Sequence, residues 1–399
     1  MLEKILRNFS SLLPITTFMK SSKVSVLLSL VASCTTPNLN YRPHGGACTE
    51  HRQCESNACL PNGTCSDGTD VAFVDPRGDQ NPEAPDGHEC SLSEPCFYFV
   101  EALDTGRPYI KFTGTTKTGL TMTLTNRKLD LLADKGAKLT RSTPGPLIKV
   151  NGGSQIAIYD LELTGAKGRE WAGILMPADS HSSVSLERVT IDDNEGSGID
   201  LESTGILSVA HSTISNNQGF GIVANGGAIH VSQSTIENNA QGGLNLMKPT
   251  ELNIANNFIV RNGNEASSVG ALFVMKDPGG ARGEIEFNTI VDNRVRPDKP
   301  TGGVMCYGNA EAPYNLILRN TKGTSSQAAQ IDGDCGYSLS AFPSSDPGFQ
   351  SATDYHLTSA SPTGTFRDVF SCSDSVDFDG DSRPQGGKCD AGADEYKGP

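Results

Sequence analysis

Apolar and polar positions alternate in short runs through the middle of this chain. Ile199-Asp200-Leu201, Ile222-Val223-Ala224 and Leu244-Asn245-Leu246 each place one residue between two apolar ones. A period of two is the mark of a strand with one buried face. Each run is bounded by Gly, Asn or Asp, the residues that turn a chain. The short runs recur in a fixed frame. Val189-Thr-Ile-Asp-Asp-Asn194 is followed by Ser212-Thr-Ile-Ser-Asn-Asn217 and Ser234-Thr-Ile-Glu-Asn-Asn239. Asn257-Phe-Ile-Val-Arg-Asn262, Asn288-Thr-Ile-Val-Asp-Asn293 and Asn315-Leu-Ile-Leu-Arg-Asn320 continue the frame. The central Ile falls at 191, 214, 236, 259, 290 and 317, in steps of 23, 22, 23, 31 and 27 residues.

A step of this length fits one coil of a parallel β-helix built from three short strands and three turns. Leucine-rich repeats share the period, but their Leu-x-x-Leu-x-Leu frame is absent. Coils stacked about 4.8 Å apart bring equivalent residues into files. The Ile file is expected inside. Asn194, Asn217, Asn239, Asn262, Asn293 and Asn320 are expected to form an amide ladder at one turn, satisfying buried backbone groups there. Gly198, Gly221, Gly243 and Gly303 open the next strand, where Gly permits positive φ. The longer steps place insertions at Asn264–Val269 and Arg294–Thr301, on one face of the solenoid. The expected fold is all-β: a right-handed parallel β-helix over 105–345, preceded over 70–104 by a strand and a capping helix. In that helix Phe97, Val100 and Leu103 would face inward. Residues 346–399 form a C-terminal cap region.

The N-terminus is an export signal over 1–33, with Met19 an alternative start. Lys20 and Lys23 precede the apolar stretch Val24–Ala32. Its end, Leu30-Val31-Ala32-Ser33-Cys34, resembles a bacterial lipobox, which implies lipidation of Cys34 and attachment to a membrane by lipid. Residues 34–45 then form a tether, and 46–67 a small Cys-rich module that resembles Dickkopf-like modules. Eleven Cys less Cys34 leave an even ten, as an oxidised exported chain requires. Cys48, Cys54, Cys59 and Cys65 form one group, with zinc as the rival to disulfides. Cys90 with Cys96, Cys306 with Cys335 and Cys372 with Cys389 are the remaining candidate pairs. The expected location is the bacterial cell envelope, as an outer-membrane lipoprotein or at the cell surface. A net charge of -14 argues against nucleic acid as a partner. A monomer is expected.

The Ile and Asn files resemble the β-helix superfamily that includes pectate lyases. The ending Asp377-Phe-Asp-Gly-Asp-Ser-Arg-Pro, with Asp390-Ala-Gly-Ala-Asp-Glu395, resembles that of choice-of-anchor Q β-helix proteins, which are bacterial surface or secreted proteins. The superfamily implies polysaccharide chemistry. In a lyase of this kind Ca²⁺ neutralises a uronate carboxylate while Arg or Lys removes a proton. The candidate groups are Asp192, Asp193, Asp200 and Glu202 on one coil, with Arg294 and Arg296 on the second insertion. No second carboxylate backs Asp200, since Val223 and Asn245 occupy its place on the next coils. The lyase and polygalacturonase signature motifs are missing. His211 and His230 lie near strand ends, where a structural role is expected. Asp377, Asp379 and Asp381 surround a Gly turn and are candidate Ca²⁺ ligands, or a tight turn that Arg383 braces. The leading expectation is a non-catalytic surface module, for glycans or as envelope structure. The alternatives are a lyase or hydrolase acting on acidic polysaccharide, and protein adhesion through the Cys-rich module.

Overall fold

The computed structural model describes residues 41–398, apart from 80–88, 203, 278–279, 281, 324, 329, 373–374 and 386. The export signal, Cys34 and the start of the tether lie outside the described residues. The chain winds as a right-handed β-solenoid with three parallel sheets. Sheet 1 has ten strands, from Val71–Asp79 to Ala310–Glu311. Sheet 2 has nine, from Met122–Thr125 to Ile331–Gly333, and sheet 3 has nine, from Thr115–Thr118 to Leu316–Leu318. One coil runs from sheet 1 through sheet 3 to sheet 2. Thus Ser183–Glu187 leads to Thr190–Asp192 and then to Ile199–Leu201.

The Ile file forms as the repeat requires. Ile191, Ile214, Ile236, Ile259, Ile290 and Ile317 are register partners in turn along sheet 3. All six are fully buried, each worth about 2–3 kcal/mol of transfer free energy. The Asn ladder also forms, at the corner after sheet 3, and all six amides are fully buried. Nδ2 of Asn217 donates to Oδ1 of Asn239 at 2.8 Å, and Nδ2 of Asn239 to Oδ1 of Asn262 at 3.0 Å. The residue before each ladder Asn adopts positive φ: Asp193, Asn216, Asn238, Arg261, Asp292 and Arg319. Such a backbone costs about 1–2 kcal/mol for a side chain-bearing residue. The ladder hydrogen bonds offset it.

Positive φ does not fall on Gly198, Gly221, Gly243 or Gly303. These glycines answer a need for space. A Cβ on Gly221 would lie 2.8 Å from the Gly243 carbonyl oxygen, 2.8 Å from Ile236 Cγ2 and 3.0 Å from Asn239 Nδ2. The strand start therefore presses against both internal files.

A second ladder, not expected from the repeat, occupies the corner between sheets 1 and 3. Its members are Ser212, Ser234, Asn257, Asn288 and Asn315. The backbone N–H of each of the first four donates to the side-chain oxygen of the next. Left-handed residues precede it too, His211, Gln233, Asn256, Phe287 and Tyr314 among them.

At the N-terminal end no separate helical cap forms. Among the described residues there is one α-helix, the six-residue Phe99–Asp104 (α1). Phe99, Ala102 and Leu103 are its buried residues, while Phe97 and Val100 are half-buried. The inward face is shifted from the expected one because Cys96, tied to Cys90, bridges to Val74 and keeps the chain extended up to the helix. The strand Val71–Asp79 extends sheet 1 by a rung ahead of the first full coil.

Five disulfides form: Cys48–Cys59, Cys54–Cys65, Cys90–Cys96, Cys306–Cys335 and Cys372–Cys389. The first two consume the thiols that zinc would need. Five such bonds indicate an oxidising, extracytoplasmic compartment. Among the described residues no helix is long and apolar enough to cross a membrane.

The disulfide module docks on the outer face of sheet 1, where Ala58 packs with Val71, Phe73 and Leu132. Lys111 is fully buried beneath it, paired with Asp134 at 2.8 Å and donating to the Asn57 carbonyl. Burial lowers its pKa to about 8 despite the Asp134 partner. The C-terminal segment lies along the outer face of sheet 3. Outward positions there are polar on early coils, as at Thr213 and Glu237, and apolar on the last ones. Phe258, Val260, Val291, Leu316 and Leu318 pack with Tyr355, Leu357, Phe366 and Phe370.

Candidate functional site

The two insertions follow the Asn corner on consecutive coils, so stacking sets the second directly against the first. Arg296 N–H donates to the Ser267 carbonyl at 3.0 Å, and Arg294 pairs with Glu265 at 3.2 Å. Arg294–Val295 also pairs with Thr321–Lys322 of the next coil. Together the insertions wall one end of a groove of about 800 Å³ that runs along the corner between sheets 3 and 2. Arg169, Glu195, Gln218, Gln241, Asn264 and Arg296 line it, with Ser267 and Ser268.

These side chains divide by what they already do. Asn264 and Ser267 hold the loop, both donating to the Ala240 carbonyl. Glu195 accepts the Gly168 N–H at 2.8 Å. Among the described residues, Arg169, Gln218 and Gln241 have no side-chain hydrogen bond to protein. Two amides and a guanidinium thus face the groove unspent. Amides both donate and accept, as sugar hydroxyls do, and Arg matches a carboxylate in a two-pronged geometry.

The outer face of sheet 2 continues from this groove. One outward file runs Lys149, Leu175, Asp200, Val223, Asn245, Phe273, Met305, Asp332. Phe273 lies 6.2 Å from the Tyr307 ring, and the Tyr307 hydroxyl donates to Asp332. That bond, with burial and nearby acids, pushes the Tyr307 hydroxyl up to about 12. The file thus mixes charged, amide and apolar groups, with one aromatic, Phe273.

The acidic coil is split between two faces. Asp192 points out of sheet 3, where burial raises its pKa and Glu162 and Asp193 add to the effect. Asp193 turns the corner. Asp200 points out of sheet 2, with Glu202 beside it, and burial followed by the Glu202 charge pushes its carboxyl up to about 6. Of this coil only Glu195 reaches the groove, and of the second insertion only Arg296 does. Val223 and Asn245 do follow Asp200, as the repeat implied. His211 takes a left-handed corner position and its Nδ1 lies 2.9 Å from Glu187. His230 lies 3.9 Å from Glu251.

The sequence reading did not single out Arg169, Gln218 or Gln241. Gln218 directly follows a ladder Asn and Gln241 stands two places after one, so the turn frame itself was the available signal. A second cleft, of about 1100 Å³, lies between the disulfide module and sheet 1, with His51, Asn57, Asp134 and Arg188 in its lining.

At the C-terminal motif, Asp377 spends both oxygens on backbone. Oδ1 accepts the N–H groups of Asp379 and Asp381, and Oδ2 that of Glu395. Asp381 pairs with Lys397. Arg383 is fully buried and pairs with Glu395 at 3.0 Å, with its guanidinium over the Phe287 ring at 4.6 Å. It also donates to the Gly392 and Ala393 carbonyls. A buried cation survives only with such pairing.

A three-sheet coil, two internal ladders and a polar groove at one corner define a right-handed β-helix protein of the pectate-lyase-like fold. Residues 148–259 and, overlapping them, 172–340 match the family described as right handed beta helix region. Among solved structures, the crystal structure of pectate lyase Pel9A is similar, with a TM-score of 0.53 and 16% identity. The match covers 82% of this chain and 96% of that one. At this identity the likeness is one of fold. No curated protein sequence matches the chain.

Proposed function

We propose that this chain is a non-catalytic module of the bacterial envelope, held by lipid at Cys34, that binds an extended acidic polysaccharide. The observation that carries the reading is the groove, where Arg169, Gln218 and Gln241 face solvent without protein partners beside Arg296. These groups come from different coils, spaced along one corner by rungs about 4.8 Å apart, which suits an extended polymer. Five disulfides support the location. The acidic groups expected to hold Ca²⁺ for a lyase do not converge, which favours binding over cleavage.

The test uses exported protein with Cys34→Ser, run through gels containing acidic or neutral polysaccharides, with and without Ca²⁺. Retardation by an acidic polymer, weakened at least about a hundredfold by Arg169→Ala with Arg296→Ala, is the expected result; two charge-assisted contacts of about 1.5–3 kcal/mol each give that size. Mass spectrometry of the same polymers tests the alternative. Unsaturated chain ends would replace the binding reading with a lyase. Equal mobility in every gel would remove the groove as a glycan site.

A further inference from the structure

The C-terminal segment holds a constellation that the groove does not use. His356 precedes Leu357, which packs against sheet 3. Its ring stands edge-on to Phe258 at 4.9 Å and to Phe378 at 5.8 Å. Nδ1 lies 2.5 Å from Asp354 Oδ1, which makes Nδ1 the protonated nitrogen facing that carboxylate. In the neutral ring Nε2 then carries a lone pair. Nε2 is buried and has no hydrogen-bond partner. It faces Asp379 Oδ2 at 3.5 Å, beyond a normal hydrogen bond. Asp394 completes the group. It is 7% exposed, and its Oδ2 accepts the Leu357 N–H at 2.6 Å. The ligand atoms of His356, Asp379 and Asp394 all lie within 4.8 Å of one another.

With the ring neutral, a buried nitrogen lone pair facing two carboxylates is an arrangement with acceptors only, and a proton on Nε2 is the competitor a cation must displace. Water satisfies part of it, but one divalent cation satisfies all of it and balances both negative charges. The carboxylate behind Nδ1 is the support that metal-bound imidazole almost always has. Imidazole with two carboxylates suits a transition metal such as Zn²⁺ better than Ca²⁺ or Mg²⁺, which take oxygen ligands.

We propose that His356 Nε2, Asp379 and Asp394 bind one divalent transition-metal cation, oriented by Asp354, and that the ion ties three parts of the C-terminal segment together. Ligands about 2.1 Å from one ion lie about 3.3 Å apart, so the group must close by about an ångström. Asp379 supplies the movement. Its side chain is half exposed, and its backbone is fixed because its N–H donates to Asp377 at 3.0 Å. The site pins the extended stretch bearing His356 to the turn at Asp379 and to the terminal stretch at Asp394.

The test is Zn²⁺ titration of the chelator-stripped full chain, by calorimetry and by thermal melting. One Zn²⁺ per chain and a raised melting temperature are expected. Asp379→Asn removes an exposed ligand without disturbing a buried contact, and should weaken Zn²⁺ at least about tenfold. Asp354→Asn leaves all three ligands in place and should weaken it about 10–100-fold by freeing the ring. The apo melting temperature of Asp379→Asn reads folding separately. No Zn²⁺ uptake by the parent chain, or an affinity in Asp379→Asn and His356→Ala unchanged from the parent, would overturn the proposal.

Discussion

Asn239 is the most informative single position in the solenoid. Its Oδ1 accepts from Asn217 N at 3.2 Å and from Asn217 Nδ2 at 2.8 Å. Its Nδ2 donates to the Ile214 carbonyl and to Asn262 Oδ1, both at 3.0 Å. Asn239→Ala removes all four bonds at a site with no solvent exposure. Asn217 Nδ2 keeps the Ile191 carbonyl, and Asn262 Oδ1 keeps the Asn239 backbone N–H. One group loses its only partner, the Asn217 N–H; the Ile214 carbonyl keeps its place in the parallel pairing with Thr235–Glu237. At about 1–3 kcal/mol for a buried unsatisfied group, the variant should lose about 1–3 kcal/mol. Asn194→Ala, at the start of the ladder, should cost less. Asn194 Nδ2 reaches the Leu163 carbonyl only at 3.5 Å, and its Oδ1 accepts one bond, from Ala166 N. Denaturant unfolding ranks the two variants, and amide hydrogen exchange reads the Asn217 N–H directly. A loss below about 1 kcal/mol for Asn239→Ala, with the Asn217 amide still protected, would refute the view that the ladder offsets the strained corners.

Two further outcomes follow from the geometry. Gly221→Ala should cost about 3 kcal/mol because its Cβ meets backbone and both internal files, whereas Gly119→Ala, whose nearest atom lies at 3.7 Å, should stay within about 0.5 kcal/mol; thermal melting compares them. Asp200 has its folded pKa raised from 3.8 to about 6, so the stability its protonated form contributes is full below about pH 4 and lost as pH rises through 6. Asp200→Asn should therefore recover up to about 3 kcal/mol at pH 7.5, and the gap to the parent should close near pH 4 in melting curves; a gap independent of pH would show that Asp200 is not penalised by burial.

The solenoid was legible because its hydrophobic core is one-dimensional. One Ile and one Asn recur at a fixed place in each of six coils, so spacing alone exposes the coil. The second ladder was hidden by its chemistry. Ser212 and Ser234 accept the same backbone N–H that Asn257 and Asn288 do, so the position changes residue type while keeping its function. The glycine frame was visible but its cause was not, since close approach and positive φ leave the same letter. The split of Asp192 from Asp200 follows from a corner between them that spacing cannot orient. The site at His356 joins residues from separate stretches of the C-terminal segment, and no local pattern announces it.

The C-terminal segment changes how the solenoid should yield. Stacked coils ordinarily couple only to their neighbours, and can fray one at a time. Here Asp377 accepts from Gln233, Arg383 reaches Asn256, Ala393 N–H donates to Thr289, and Gly392 N–H donates to the Tyr314 carbonyl. One strap thus crosses the coils from Gln233 to Tyr314. Under tension or partial denaturation, those coils should let go as a single block, while the coils between the disulfide module and Gln233 peel individually. The N-terminal and C-terminal halves of the solenoid then differ in mechanical character, though their repeat is the same.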